Sequence, residues 1–429
     1  MKKVLKIFFA AALILILLLS MAAFIYFRFF YFPKINGEIA VDGPADRVEI
    51  YRDGYGIPHI IAESADDAFF GLGFAMAQDR PFQLEIYRRV ANGELSEVLP
   101  GEEARQMDRF SRFIQFEELG RRLYENMDPD LQSFVQAFVK GVNEGYGTLK
   151  GPLPRPLTLA AFGGGAGEWK PEDPLAFGLV IAWMKAANYR VEYFYTRLAK
   201  VLGEERAMEL LPYYPPPDDD YVGLPAAVPA AVPRDIPLLA AGARLGEFLG
   251  VGSGCSAWCV SRHKSVSGES VLVYNAHTGE GRAPAEHYLV HLKGGDELDM
   301  AGAAIAGVPG FYSGSNRRIA WALTQNENDC TDLYREKINP DNPDQYLNEG
   351  EWKDMDIREE KICYIDEKSE SGRAVGGACE TFKVRSTVRG PVISDMMDDY
   401  DRKDEALSVQ WTGFQPDIRF DGYARLPLA

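Results

Sequence analysis

The sequence is short of cysteine, histidine and positive charge, and each shortage removes a class of protein. Five cysteines in 429 residues are too few for a disulfide scaffold, and their odd number leaves at least one thiol without an intrachain partner. None of the five histidines forms an HExxH pair, and the cysteines have no CxxC spacing, which argues against a zinc site. Forty-six Lys and Arg face sixty-three Asp and Glu, a net charge of −17. That argues against a nucleic-acid partner, which demands a basic footprint. A nucleophile elbow is missing too: Gly252-Ser253-Gly254 is preceded by Val251, where the motif needs glycine.

What is present is ordinary globular chain. Hydrophobic residues make 46% and charged residues 25%, which rules out global disorder. At the N-terminus, Lys2, Lys3 and Lys6 precede an uncharged apolar run from Ile7 to Phe27. At about 1.5 Å per residue a helix of that length spans roughly 30 Å, a bilayer core. A cleaved signal peptide is the competing reading, with Ser20-Met21-Ala22 as its cleavage site. The aromatic belts Phe24–Phe27 and Phe29–Phe32 favour an uncleaved anchor, with the body periplasmic or extracellular.

From about residue 40 to 212 the pattern is mainly helical. Ser64 with Asp67 resembles a capping box. Asp128-Pro129 and Asp173-Pro174 each supply an N-cap and an N1 proline, the second opening a long helix towards Gly203. Residues 213–254 are rich in Pro, Ala and Gly and read as a spacer. Beyond Cys255 the segments 270–274, 288–292, 318–324, 382–388 and 407–411 have strand character. Cys363 and Cys379 flank a polar insert in a long hairpin pattern, where a disulfide is one open pairing; Cys259 and Cys330 are unassigned.

Cys255 stands at the boundary between spacer and strands. A buried or disulfide-bonded cysteine is the plain reading. The sharper one is autoproteolysis: breaking Gly254–Cys255 would give Cys255 a free α-amine of pKa near ~8, a base for its own thiol.

Several blocks then resemble the penicillin acylase family of N-terminal-nucleophile hydrolases, which includes penicillin, cephalosporin and acyl-homoserine-lactone acylases. Val48–His59 is similar to the family's opening strand, and Gly71–Leu84 to its AQDR helix, followed by Gly93-Glu94-Leu95-Ser96-Glu97. Pro309-Gly310 and Gly314–Thr324 resemble its PG…GxNxxIAWxxT block. The resemblance implies an α+β fold, a four-layer αββα sandwich with a helical first subunit after an N-terminal transmembrane helix. The regions would be 1–33 anchor or signal peptide, 34–212 first subunit, 213–254 spacer, and 255–429 the first part of a catalytic subunit. In the family the nucleophile, usually serine, lies three residues ahead of a tryptophan, so Trp258 selects Cys255. His277 matches a family histidine 22 positions after the nucleophile. The backbone N–H of Gln325 matches the oxyanion donor. Glu192, Asp329, Asp332 and the Thr331 carbonyl match a calcium site. No organic cofactor is implied.

The expected activity is self-processing cleavage of the amide in N-acyl substrates of the penicillin or acyl-homoserine-lactone type. The two processed chains stay associated as a heterodimer. The family continues past the point matching Ala429 to an asparagine that supplies a second oxyanion donor, so the sequence reads as C-terminally truncated. Two alternatives stay open: an inactive membrane-tethered homologue that binds N-acyl ligands, and a cysteine–histidine hydrolase without autoproteolysis.

Overall fold

The computed structural model describes residues 2–26, 33–149, 167–186, 188–210, 254–277, 286–324, 329–365, 377–397, 400 and 404–428. Nearly all of the expected spacer, and Gln325, lie outside the described residues. Helix α1 (Lys2–Tyr26) has a mean hydropathy of 2.8 over Phe8–Ile25, none of it buried. It is long and apolar enough to cross a membrane, and a signal sequence would pass the same test.

Local signals set the next helices. At the start of α2 (Ala65–Asp79), Ser64 Oγ accepts from the Asp67 N–H at 3.1 Å. Asp67 turns its own carboxylate away from Ser64, to the N–H groups of Ala45 and Asp46 at 2.8 and 3.2 Å. Only half of the expected capping box therefore forms. Helix α3 (Pro81–Asn92) ends on Gly93 at φ 64, the left-handed cap that suits glycine. Helices α4 (Glu102–Ile114) and α5 (Phe116–Glu125) meet at Gln115. Helix α6 (Pro129–Thr148) opens with Pro129 in its first turn as expected, but the Asp128 side chain makes no capping bond and accepts from Arg425 at 2.8 Å instead.

The long helix expected from Asp173 to Gly203 is split into α7 (Glu172–Ala186) and α8 (Tyr189–Leu202). Thr331 supplies a physical reason. Its Oγ1 accepts from the backbone N–H groups of Asn188 and Tyr189, both at 3.1 Å, and so holds the new helix start. Asp173 lies inside the first turn of α7, its carboxylate accepting from the Lys170 N–H at 2.6 Å. A short α9 (Glu204–Glu209) follows.

Strands β1 (Glu49–Arg52) and β2 (Pro58–Ala62) form a hairpin. Beyond residue 253 come β3 (Gly254–Val260) and β4 (Val271–His277), which among the described residues pair only with each other. Then β5 (His287–Gly294), β6 (Leu298–Ile305), β7 (Val308–Ser315) and β8 (Ala320–Ala322) join the first hairpin in a six-stranded sheet, order β1-β2-β5-β6-β7-β8. The remaining strands are β9 (Thr331–Asn339), β10 (Asn342–Asn348), β11 (Glu351–Asp354), β12 (Asp356–Tyr364), β13 (Ala378–Thr387), β14 (Gly390–Pro391) and β15 (Glu405–Trp411). They form a sheet of order β11-β10-β9-β15 and another of order β12-β13-β14. A short α10 (Asp421–Ala424) and a 3-10 turn, Leu426–Leu428, follow.

The division into a helical half and a sheet half needs amendment. Strand β2 pairs in parallel with β5, His59 opposite His291, so the first half of the chain contributes to the main sheet of the second. In β5, Tyr288, Val290 and Leu292 are buried while Leu289 is exposed, the period-2 alternation of a sheet covered on one face. Helix α2 packs on that covered face against β2 and β5. Asp79, from the AQDR block, accepts from the Tyr288 hydroxyl at 2.6 Å and pins the helix to the sheet.

Helices α2 and α6 touch backbone to backbone. A Cβ on Gly73 would lie 2.0 Å from the Phe138 carbonyl oxygen, and one on Gly141 would lie 2.0 Å from that of Phe70. Glycine is required at both for close approach. On α3, fully buried Glu85 binds Arg89 Nε at 2.6 Å and Arg88 Nη2 at 3.2 Å, and accepts from the Gly167 N–H at 3.1 Å. The charge is buried but compensated. Trp183 of α7 meets Trp411 of β15 edge-on at 5.0 Å, joining first and second halves in one apolar core. Cys363 and Cys379 are disulfide-bonded across paired positions of β12 and β13.

Candidate active site

Cys255 is the second residue of β3 and is half-buried. Its Sγ lies 3.4 Å from the carbonyl oxygen of Leu323, just past the end of β8. Leu323 is held in turn by its N–H to the Tyr312 carbonyl, at 2.8 Å. The thiol therefore faces the strand end that leads through Thr324 to Gln325.

Strand alternation decides which neighbours Cys255 can reach. Cys255 pairs with Ala276 and Ala257 with Tyr274, so these four share one face of the β3–β4 ribbon. Tyr274 is beside the thiol, and its hydroxyl is 3.2 Å from His287 Nε2. Burial pushes the Tyr274 pKa up, and negative charge on Cys255 and Glu286 adds to the rise, so the hydroxyl keeps its proton and can donate. His287 is lowered to about 4, first by burial and then by Lys185, and is neutral at physiological pH. Buried Glu286 lies 3.7 Å from Lys185 Nζ and 3.8 Å from His287 Nδ1. A line of polar groups thus runs inward from the thiol: Tyr274, His287, Glu286, Lys185. Sequence reasoning missed all four. Tyr274 fell within an expected strand, but Lys185 comes from α7, and no local pattern connects it to Cys255.

His277 lies on the other face. It pairs with Gly254, and its Nε2 is 3.4 Å from Ser256 Oγ. A Cβ on Gly254 would be 3.2 Å from His277 Nδ1, so the imidazole sits over Gly254, on the face of the ribbon opposite the thiol. Trp258 shares this second face and is 53% exposed.

The carboxylates of Glu192, Asp329 and Asp332 converge, with one oxygen from each within 4.8 Å of the others. Glu192 stands in the first turn of α8 and accepts from the Leu333 N–H at 2.5 Å. Its pKa is raised to about 7, mainly by burial, with further repulsion from Asp329 and Asp332. Converging hard oxygen donors with unrelieved mutual repulsion fit a cation such as calcium. The Thr331 hydroxyl is engaged with α8, donating to Asn188 Oδ1 at 2.8 Å.

Residues 47–429 match the family model described as penicillin amidase. An acyl-homoserine lactone acylase QuiP from Pseudomonas aeruginosa is 30% identical over 76% of this chain and 39% of its own length. A penicillin acylase 2 proenzyme from Pseudomonas sp. strain SE83 is 30% identical over 92% of this chain and 50% of its own length. The chain thus spans half or less of the length of these relatives. A solved thermostable penicillin G acylase from Alcaligenes faecalis aligns with a TM-score of 0.35 and 23% identity, over 42% of this chain and 98% of that one. By the extent of the family match, this chain belongs to the penicillin amidase family.

Proposed function

We propose, from its membership of the penicillin amidase family, that this chain is a self-processing acylase precursor with Cys255 as its N-terminal nucleophile. Its substrates are N-acyl amides of the penicillin or acyl-homoserine-lactone kind, the two classes named among its relatives. The observation that carries this reading is the Cys255 thiol at the start of β3, facing the Leu323 carbonyl beside the family's oxyanion position.

In processing, the thiol attacks the Gly254 carbonyl. The peptide C–N bond breaks as a thioester forms, and water then hydrolyses it to release the Gly254 carboxylate and the Cys255 amine. In turnover the sulfur attacks the substrate carbonyl. The α-amine takes the thiol proton and passes it to the departing amine, and a second water cleaves the acyl thioester. The Gln325 N–H would hold the developing oxyanion, a contribution of ~3 kcal/mol when pre-organised. Tyr274 would donate to the sulfur, and His277 would orient the new amine. Glu192, Asp329 and Asp332, with the Thr331 carbonyl, would hold calcium. The ion's role would be structural, relieving carboxylate repulsion and tying α8 to β9. The helical layer and paired sheets would follow the four-layer αββα plan, with α1 anchoring an exported body to the membrane.

Intact mass and N-terminal sequencing of the expressed chain test this reading. The wild type yields a chain beginning at Cys255, whereas Cys255→Ala stays in one piece and loses amide hydrolysis by roughly 10³-fold or more. A wild type that hydrolyses amides without being cut would overturn the proposal.

A further inference from the structure

Two histidines separated by 232 residues of sequence meet on the main sheet. His59 of β2 and His291 of β5 are direct partners across the parallel pair, so their side chains leave the sheet together on one face. It is the face opposite the helices, since the intervening Ile60, Val290 and Leu292 are the buried positions. The two Nδ1 atoms lie 3.1 Å apart, with the rings inclined at 75°.

The outer nitrogens each turn towards a carboxylate. His291 Nε2 is 3.2 Å from Asp299 Oδ1, and His59 Nε2 is 3.8 Å from Asp53 Oδ2. Asp299 is steadied by Arg317 at 2.8 Å, and Asp53 by the N–H groups of Tyr55 and Ile57 at 2.8 and 3.0 Å. A neutral imidazole has one N–H and one lone pair. The Asp299 carboxylate, in hydrogen-bond reach of His291 Nε2, draws that ring's N–H to its outer side, and the Asp53 charge 3.8 Å from His59 Nε2 favours the same tautomer there, which turns both Nδ1 lone pairs to each other. Lone pairs that close repel unless a shared proton or a metal cation lies between them. Two zinc–nitrogen bonds of ~2.0–2.1 Å at a tetrahedral angle separate the nitrogens by roughly 3.3 Å, close to the spacing here.

We propose that His59 and His291 form a two-histidine site for a borderline-soft divalent cation such as zinc, oriented by Asp53 and Asp299. Side chains 40% and 26% exposed leave room for water to complete the coordination. Nitrogen donors distinguish this site from the all-oxygen Glu192 cluster. No sequence motif marks it, because each ligand comes from a different half of the chain. A bound ion would clamp β2 to β5.

Calorimetric titration with zinc chloride, in a calcium-containing buffer, tests the site on the full chain. The wild type is expected to show one zinc event that is lost in H59A/H291A, together with a zinc-dependent rise in Tm that the double variant lacks. Asp299→Asn, which keeps both ligands, is expected to weaken that event tenfold or more, and it carries the test if the double variant misfolds. Equal zinc stoichiometry and affinity in wild type and a folded H59A/H291A, or in wild type and Asp299→Asn, would overturn the proposal and leave a proton-sharing pair.

Discussion

The α2–α6 pair and the β3–β4 ribbon are built on opposite terms. In the first, two glycines bring backbones into contact and an apolar core closes around them. In the second, two strands pair, among the described residues, only with each other, and Trp258 and Val271 are exposed. An isolated two-stranded ribbon is marginal in water. Its place is held by Tyr274 packing against the core and by the contact from Cys255 to Leu323. The tightly packed region supplies stability, and the lightly held one bears the proposed nucleophile. Opening and rearrangement are least costly where few apolar contacts must break.

Substitutions should separate the two regions by which property they move. Gly141→Leu forces atoms against the Phe70 carbonyl and is expected to cost about 3 kcal/mol or more by urea unfolding. An equally large loss from a substitution at exposed Trp258 would erase the contrast. Tyr274→Phe removes the hydroxyl beside the thiol; kcat/KM for an N-acyl amide is expected to fall about tenfold, while stability changes by less than ~1 kcal/mol. A pure stability loss with unaltered turnover would make Tyr274 part of the scaffold.

The smallest effect concerns Glu192. Its folded pKa is raised above the unfolded value, so its contribution to stability is fully present below the ordinary carboxylate range and is lost as pH rises through about 7. Without calcium, the chain should therefore gain stability from this group on going from pH 7.5 to 5, by about 1 kcal/mol after solvent screening. Glu192→Gln should flatten that slope, as should saturating calcium in the wild type. Thermal melts across pH with and without chelator read this out, and a slope indifferent to both would show that the carboxylates do not interact.

Much of this was legible in the residues. The cap at Ser64 acts within one turn, and strand segments such as 288–292 carry their period in their own side chains. Cys255 was marked by a change in composition and by Trp258 three positions on. The three carboxylates follow from the family pattern, and the structure brings them together. The break between α7 and α8 was not legible, because Thr331, more than 140 residues on, makes it. His277 was legible as a residue but not as a direction: register turns it towards Gly254 and away from the sulfur.

The sequence by itself determined whatever depends on neighbours within a turn or a strand: the apolar N-terminal helix, the helix start at Ser64 and the alternation of the strands. Tertiary structure alone decided that β2 enters the second half's sheet, that Lys185, Glu286 and His287 line up behind Tyr274, and that His59 faces His291. Those contacts join residues far apart in the chain. Their geometry depends on sheet register and helix packing, which are fixed only when the whole core closes.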